Sequence, residues 1–284
     1  MRKFLSLVLV LFLFGCGEKP SNVIRSLHLD VELVSEIKTI EPGETFWVGL
    51  RLDMEEGWHV NWVNPGDAGL APKISWELPE GFTAGEIEWP TPMRLPISPF
   101  MLFGYEDDVL LPVKITPPEK MKSGGAVKLL AYADWVVCNE ACIPGKATLN
   151  LELKIKNDAP ESNEMWAASF EVTRKNLPVE NGDWIFNAEI TEYRVYIKLT
   201  SLKDNNPTFD RMLFFPQQQG IINNAADQVL TKEGNGYKLE IHRDRMGNSI
   251  PEILNGVLVV ERQLPEGKEQ KGIKLNLPLK RIKS

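Results

Sequence analysis

The fold is decided by ten residues, KATLNLELKI, which run from Lys146 to Ile155. Apolar and polar residues alternate along this whole stretch, which is the pattern of a β-strand with one buried face. A second strand of comparable clarity runs from Ala126 to Val137. The apolar face of the strand from Lys146 to Ile155 carries Ala147, Leu149, Leu151, Leu153 and Ile155.

Shorter β segments continue on both sides of these strands, separated by turn signals such as Asn64-Pro65-Gly66-Asp67. Many short strands with frequent turns favour antiparallel sandwiches over alternating strands and helices. We therefore predict an all-β protein with two β-sandwich domains, at residues 24–156 and 181–284. Residues 157–180 join them through a short helix that Ser162 caps. The helix is expected to bury one stripe of side chains, namely Met165, Trp166, Phe170 and Thr173.

The first residues form an export signal. A basic start is followed by an apolar run, Phe4 to Phe14, which is too short to span a bilayer. The next residues complete the sequence Leu13-Phe14-Gly15-Cys16, which resembles a bacterial lipobox, where the cysteine is lipidated and becomes the new N-terminus. We expect a signal peptide at residues 1–15, a lipid anchor on Cys16 and a tether at residues 16–23. The alternative is a simple secretory signal with a chance cysteine.

Charge and targeting together indicate the compartment. Two or three acyl chains give stable anchoring, and Gly17 after the lipidated cysteine slightly favours the outer membrane. Loss of Arg2 and Lys3 with the signal takes the net charge from −7 to −9, which argues against nucleic acid as a partner. We therefore place the protein at the periplasmic face of the bacterial cell envelope, where disulfides persist.

Cys138 and Cys142 are the remaining cysteines, and they lie between the two clearest strands. The neck of a hairpin holds Cα atoms about 5 Å apart, which suits a disulfide. A bridge that closes a loop of about five residues stabilises a protein by only about 2 kcal/mol, against about 4.7 kcal/mol for a 100-residue loop. A permanent structural disulfide would add little stability here, so the spacing favours a reversible disulfide that exchanges with other thiols.

Two other readings of the pair stay open. The first is a plain structural bridge. The second is a metal site, because two thiolates can hold a soft ion such as Cu(I), with Met101 or His59 as a third ligand. A closed zinc site would need four ligands, and none of the three histidines lies near the cysteines in sequence. In the favoured redox reading we expect no metal and no cofactor.

The stretch from Gly57 to Leu70, GWHVNWVNPGDAGL, is the longest of several distinctive motifs. The others are Glu88–Pro92, Phe103–Glu106, Leu110–Val113, Asp134–Gly145, Phe214–Pro216 and Leu254–Val260. Together they resemble the periplasmic N-terminal region of DsbD-type protein-disulfide reductases, and most closely the ScsB-like subgroup that is linked with copper tolerance. The resemblance covers nearly the whole chain after the signal peptide.

This resemblance implies immunoglobulin-like sandwiches, the first of which exchanges thiols and disulfides. In that family a membrane-embedded domain and a thioredoxin-like domain follow on the same chain. Here the sequence ends at Ser284, so we expect a membrane electron-transfer protein and thioredoxin-fold partners to act in trans. The protein would then relay reducing equivalents as a protein-disulfide reductase. The rival functions are a copper-handling lipoprotein and a non-catalytic binding module.

The resemblance also implies roles for individual residues. Cys142 is expected to face the partner, and Cys138 is expected to resolve the mixed disulfide. The family covers its cysteines with an aromatic cap loop, for which residues 98–105 are the candidate. Phe100 and Phe103 are the rings expected over the sulfurs, with ordinary core packing as the alternative. Further candidates for lining the site are Tyr105, His59 and Asn61.

Overall fold

The computed structural model of the chain describes residues 22–203, 208–244 and 250–283. The predicted signal peptide, the lipidated Cys16 and the tether up to residue 21 lie outside the described residues. In the part that is described, no helix is long and apolar enough to cross a membrane.

The first half of the described chain forms strands only. They are β1 (Val23–Ser26), β2 (Leu29–Ser35), β3 (Thr39–Ile40), β4 (Phe46–Met54), β5 (His59–Gly66), β6 (Lys73–Glu77), β7 (Thr83–Ile87), β8 (Met93–Ile97), β9 (Phe100–Glu106), β10 (Asp108–Thr116), β11 (Ala126–Cys138) and β12 (Cys142–Ile155).

These strands form two sheets that pack face to face. A five-stranded sheet has the order β1-β2-β4-β10-β7, and a seven-stranded sheet has the order β3-β12-β11-β5-β9-β8, with β6 also paired to β11. The apolar faces of both sheets meet in one core, to which Val31 and Leu50 contribute from the first sheet and Trp62 and Leu129 from the second. The first β unit is therefore a sandwich.

The stretch that predicts the fold forms most of β12, which pairs with β11 along its whole length. Leu149 and Leu153 are buried in the core, whereas Glu152 and Lys154 on the other face are exposed. The alternation predicted from the sequence is confirmed, because one face of this strand packs on the opposite sheet and the other meets solvent.

The second half contains one helix and a further set of strands. They are α1 (Ala167–Asn176), β13 (Trp184–Ile190), β14 (Arg194–Ser201), β15 (Arg211–Pro216), β16 (Gln228–Glu233), β17 (Gly236–His242), β18 (Ile253–Leu264) and β19 (Gly267–Arg281).

The second β unit has the strand order β15-β18-β19-β13-β14-β17-β16. The long strand β19 pairs antiparallel with β18 up to Pro278 and then parallel with β13 from Leu279. Phe214 of β15 and Ile197 of β14 come from the two sides of β19 in this strand order. Both lie in the same buried cluster, so the two sides enclose a core. The predicted class, all β with two sandwiches joined by a helix, is confirmed. The predicted boundaries at residues 156 and 181 stay a prediction.

The connecting helix is shorter than its sequence pattern suggests. It begins after Trp166, which caps it without a side-chain hydrogen bond, whereas Ser162 forms an isolated β-bridge with Ile37. Ser162 is therefore wrongly predicted as the cap, because its backbone pairs with Ile37 instead. Phe170 is buried against the five-stranded sheet, but Met165 is 76% exposed and does not belong to the buried stripe.

The two β units share an apolar contact. Phe103 and Trp62 of the first unit lie in one core cluster with side chains of β15 and β18. A buried amide reinforces this contact, since Asn64 donates a 2.7 Å hydrogen bond from Nδ2 to the carbonyl oxygen of Pro216. The residues that the second unit adds to the first core are Leu213, Phe215, Val257 and Val259.

Candidate redox site

Cys138 and Cys142 close the end of the β11–β12 hairpin. They are direct cross-strand partners, they form a disulfide, and their Cα atoms are 4.1 Å apart. Between them, the Asn139 N–H donates a 3.1 Å hydrogen bond to the carbonyl oxygen of Ala141. The hairpin neck predicted from the sequence spacing is therefore present, with its disulfide at the tip of the two longest strands of its sheet.

The two cysteines differ in their access to solvent. Cys138 is 2% exposed, whereas Cys142 and the loop residues 139–141 are exposed. An attacking thiolate must approach the sulfur that it will bind. Only Cys142 of the pair is open to such an approach, which agrees with the partner-facing role that the resemblance implies for it.

His59 lies beside Cys138 in the sheet. Antiparallel pairing of β5 with β11 makes His59 the direct partner of Cys138, and pairing of β5 with β9 makes Glu106 its partner on the other side. Direct partners point to the same face, with Cβ atoms about 4.5–5.5 Å apart. His59 is 1% exposed, and burial lowers the pKa of its imidazole.

Asn61 follows on the same face of β5, two residues from His59. Its side chain is fully buried beneath the loop that contains Gly69, whose backbone φ is +105°. A Cβ atom on Gly69 would lie 2.2 Å from Asn61 Oδ1. Glycine is therefore required for the loop to cover this amide so closely.

The predicted aromatic residues lie further from the sulfurs. Phe103 is buried and packs against Phe215 of the second β unit, on the core face of β9 and so opposite to the face of His59. Phe100 begins β9, six residues before Glu106, which corresponds to about 20 Å along a strand. Tyr105 is buried beside Val60, and its hydroxyl donates a 2.7 Å hydrogen bond to the carbonyl oxygen of Pro90.

The structure thus brings together Cys138, Cys142 and His59, with Asn61 next to His59 on the same face of β5. The rings of Phe100 and Phe103 do not belong to this group. A covering role for Phe100 and Phe103 stays a prediction. Sequence reasoning did not assign Gly69 or Glu106 to the site. The only signal for Gly69 was its place in the motif from Gly57 to Leu70.

Of the two candidate third ligands for a metal ion, only His59 lies beside the cysteines, as the direct partner of Cys138. Within the described residues, no three or more His, Cys, Asp or Glu side chains are grouped so as to hold a metal ion. Met101, one candidate third ligand for Cu(I), lies at the far end of β9 beside Phe100. Binding of Cu(I) by the reduced cysteines stays a prediction.

Comparison with known proteins identifies the first β unit. Residues 29–154 match the family described as thiol:disulfide interchange protein DsbD, N-terminal. No curated protein sequence matches the chain. The matched range spans both sheets of the first sandwich, from β2 to β12, and includes both cysteines.

Solved structures extend the fold comparison to the second unit. The N-terminal periplasmic domain of ScsB from Proteus mirabilis superposes with a TM-score of 0.63 at 16% identity, over 90% of this chain and 98% of that chain. At this identity the similarity establishes the fold alone. A protein of unknown function from Porphyromonas gingivalis W83 covers 88% of this chain and 100% of its own at 11% identity, but its TM-score of 0.25 carries no argument.

Proposed function

Residues 29–154 belong to the family of DsbD N-terminal domains, and from this premise we propose that the protein relays reducing equivalents by thiol–disulfide exchange. The Cys138–Cys142 pair is the proposed reaction centre. One observation carries the proposal, namely that an exposed cysteine and a buried one are joined in a disulfide at a hairpin tip. That asymmetry gives an incoming thiolate one sulfur to attack and keeps the other available for resolution.

The exchange conserves atoms and electrons. A partner thiolate attacks Cys142 Sγ, the bond to Cys138 breaks, and the electron pair of that bond stays on Cys138 Sγ. The second thiol of the partner then displaces Cys142 from the mixed disulfide. The partner becomes oxidised and the pair becomes a dithiol, which can reduce a further protein by the same steps in reverse. The protein would act in this way as a protein-disulfide reductase.

We propose thioredoxin-fold proteins as partners on one side and a membrane electron-transfer protein on the other. Thioredoxin-like proteins attack through a C-x-x-C thiolate of lowered pKa, and a single exposed cysteine is the matching target. The ScsB domain with this fold is described as periplasmic, which supports the same compartment for this chain. The lipid anchor at Cys16, with the outer membrane slightly favoured, belongs to the same proposal.

Single cysteine variants and a purified, reduced thioredoxin with its resolving cysteine removed test this function. The thioredoxin should form a disulfide-linked complex with the wild-type protein and with C138A after mild oxidation, but far less with C142A, because Cys138 is buried. The double variant C138A/C142A is the control for non-specific linkage. The relay function is wrong if the thioredoxin never links to Cys142, or if it links equally well to C142A.

A further inference from the structure

Two buried polar side chains beside the disulfide have no hydrogen-bond partner among the described residues. In His59 the unpaired atom is Nε2, and in Asn61 both amide atoms, Oδ1 and Nδ2, are unpaired. Their side chains are 1% and 0% exposed. An unpaired buried polar atom costs stability, and buried polar atoms are usually paired. His59 in particular calls for an explanation, and its position as the direct strand partner of Cys138 offers one.

We propose that His59 is the hydrogen-bond and proton-exchange partner of the Cys138 sulfur whenever the disulfide is open. This role rests on the proposed thiol–disulfide exchange. In the closed disulfide, Cys138 Sγ carries no hydrogen, so it has nothing to donate to the imidazole. After reduction the thiol acquires a hydrogen, which it donates to His59 Nε2 on the neighbouring strand. The imidazole is unpaired in one redox state and paired in the other.

The same contact gives the resolving thiol a place to leave its proton. When a partner is linked to Cys142, the proton of Cys138 passes to His59 Nε2 and the resulting thiolate attacks Cys142 Sγ. The Cys138–Cys142 bond forms, the bond to the partner breaks, and the partner leaves as a thiolate that takes up the proton. No oxidant or reductant beyond the partner is required.

The surroundings of His59 suit a neutral imidazole. Burial lowers its pKa, so the ring carries no charge at neutral pH and keeps a lone pair for a proton. The acidic side chains on the turns and strands next to it all reach solvent, where water screens their charge. They are Glu55, Glu56, Glu106, Asp107 and Glu140.

Asn61 supports the proposed role of His59 from two residues further along the same face of β5. Its amide lies under the loop of Gly69, which approaches to a distance that only glycine allows. The loop therefore covers the face of β5 that carries His59 at the position of Asn61. The imidazole lies on the strand next to Cys138 and is the acceptor that we propose for the proton of this thiol.

The redox equilibrium with glutathione tests the proposal without any protein partner. In His59→Phe, the reduced state is destabilised because it loses the hydrogen bond to the Cys138 thiol. The oxidised state is stabilised because it no longer buries an unpaired polar atom. Both changes disfavour reduction. We expect the equilibrium constant for reduction to fall about fivefold to tenfold, and a tenfold fall corresponds to about 30 mV. His59→Gln keeps a polar amide in this position and should stay within about twofold of wild type. His242→Phe, at an exposed position in β17, is the matched control.

A measurement on the wild-type protein covers the case in which His59→Phe does not fold. The chain has three histidines, so the ring nitrogen signals can be assigned by NMR. The Nε2 signal of His59 should shift on reduction with dithiothreitol, and that of His242 should not. An unchanged Nε2 signal overturns the proposal, as does an equal change of equilibrium in the Phe and Gln variants. If the wild-type pair cannot be reduced at all, the exchange function fails instead.

Discussion

Phe103 of β9 packs edge-on against Phe215 of β15, with ring centroids 5.0 Å apart and ring planes at 73°. Phe215 also meets Trp62 edge-on at 6.4 Å. Aromatic pairs of this geometry contribute about 0.5–1.5 kcal/mol beyond the burial of their area. Because the rings come from both β units, the core of the first sandwich continues into the second. We expect the two units to unfold together.

Phe215→Ala should test this coupling. Removal of the ring leaves a cavity between the β units, and the free energy of unfolding should fall by about 3–5 kcal/mol. Urea unfolding followed by tryptophan fluorescence should then separate into two transitions. Phe100→Ala is the control, because Phe100 is 48% exposed and its truncation should change stability little. One unchanged transition in Phe215→Ala would show that the shared core does not couple the units.

Gly69→Ala should destabilise the protein more than the same substitution at another glycine with a positive backbone φ. Gly69 and Gly124 both have positive φ, but a Cβ on Gly69 would meet Asn61, whereas a Cβ on Gly124 would meet nothing within 4 Å. Positive φ costs an alanine about 1–2 kcal/mol, so Gly124→Ala measures that cost alone. The additional loss in Gly69→Ala, measured by urea unfolding of the oxidised proteins, reports the close approach to Asn61. Equal losses in the two variants would contradict the close approach.

Acid should weaken the fold through His59. Burial lowers the pKa of His59 below its ordinary value of 6.5, so below about pH 6.5 the unfolded chain binds a proton that the folded chain does not. Stability is therefore full above that pH and falls as the pH drops toward the lowered pKa of the folded state. His59→Gln should flatten the dependence of the unfolding free energy on pH between about pH 5 and 7. His242→Gln serves as the control, and identical slopes in all three proteins would refute the assignment to His59.

Alkylation should distinguish the two thiols of the reduced protein. Cys142 is exposed and Cys138 is 2% exposed, so iodoacetamide should modify Cys142 first. Mass spectrometry of quenched samples gives the order of modification, and the same reaction in urea should remove the difference. Faster modification of Cys138 in the folded protein would contradict the roles assigned to the pair.

Features that depend on residues close in sequence could be predicted. The alternation from Lys146 to Ile155 predicted a strand with one buried face, and the neighbouring strand placed Cys138 opposite Cys142 across a short hairpin. A period of two and a short loop are local properties, and local geometry is nearly sufficient to produce them. The motifs around Trp58 and Cys138 identified the family in the same way, because they are contiguous in the chain.

Features that depend on pairing between distant parts of the chain could not be predicted from the sequence. Phe103 packs against Phe215, which lies much later in the chain, in the core between the β units, and no local pattern indicated this contact. Met165 matched the apolar stripe of the helix, yet the sheet beneath covers Phe170 and leaves Met165 exposed. In both cases the pattern identified an apolar side chain, and long-range packing decided what it contacts.

By itself, then, the sequence determined the all-β class and the cysteine hairpin. Tertiary structure alone decided that His59 is the direct strand partner of both Cys138 and Glu106. The physical reason is that these relationships arise from the register between strands that are far apart in the chain. Register is fixed by which faces can be buried together, and that is known only once every strand has its place in the sheets.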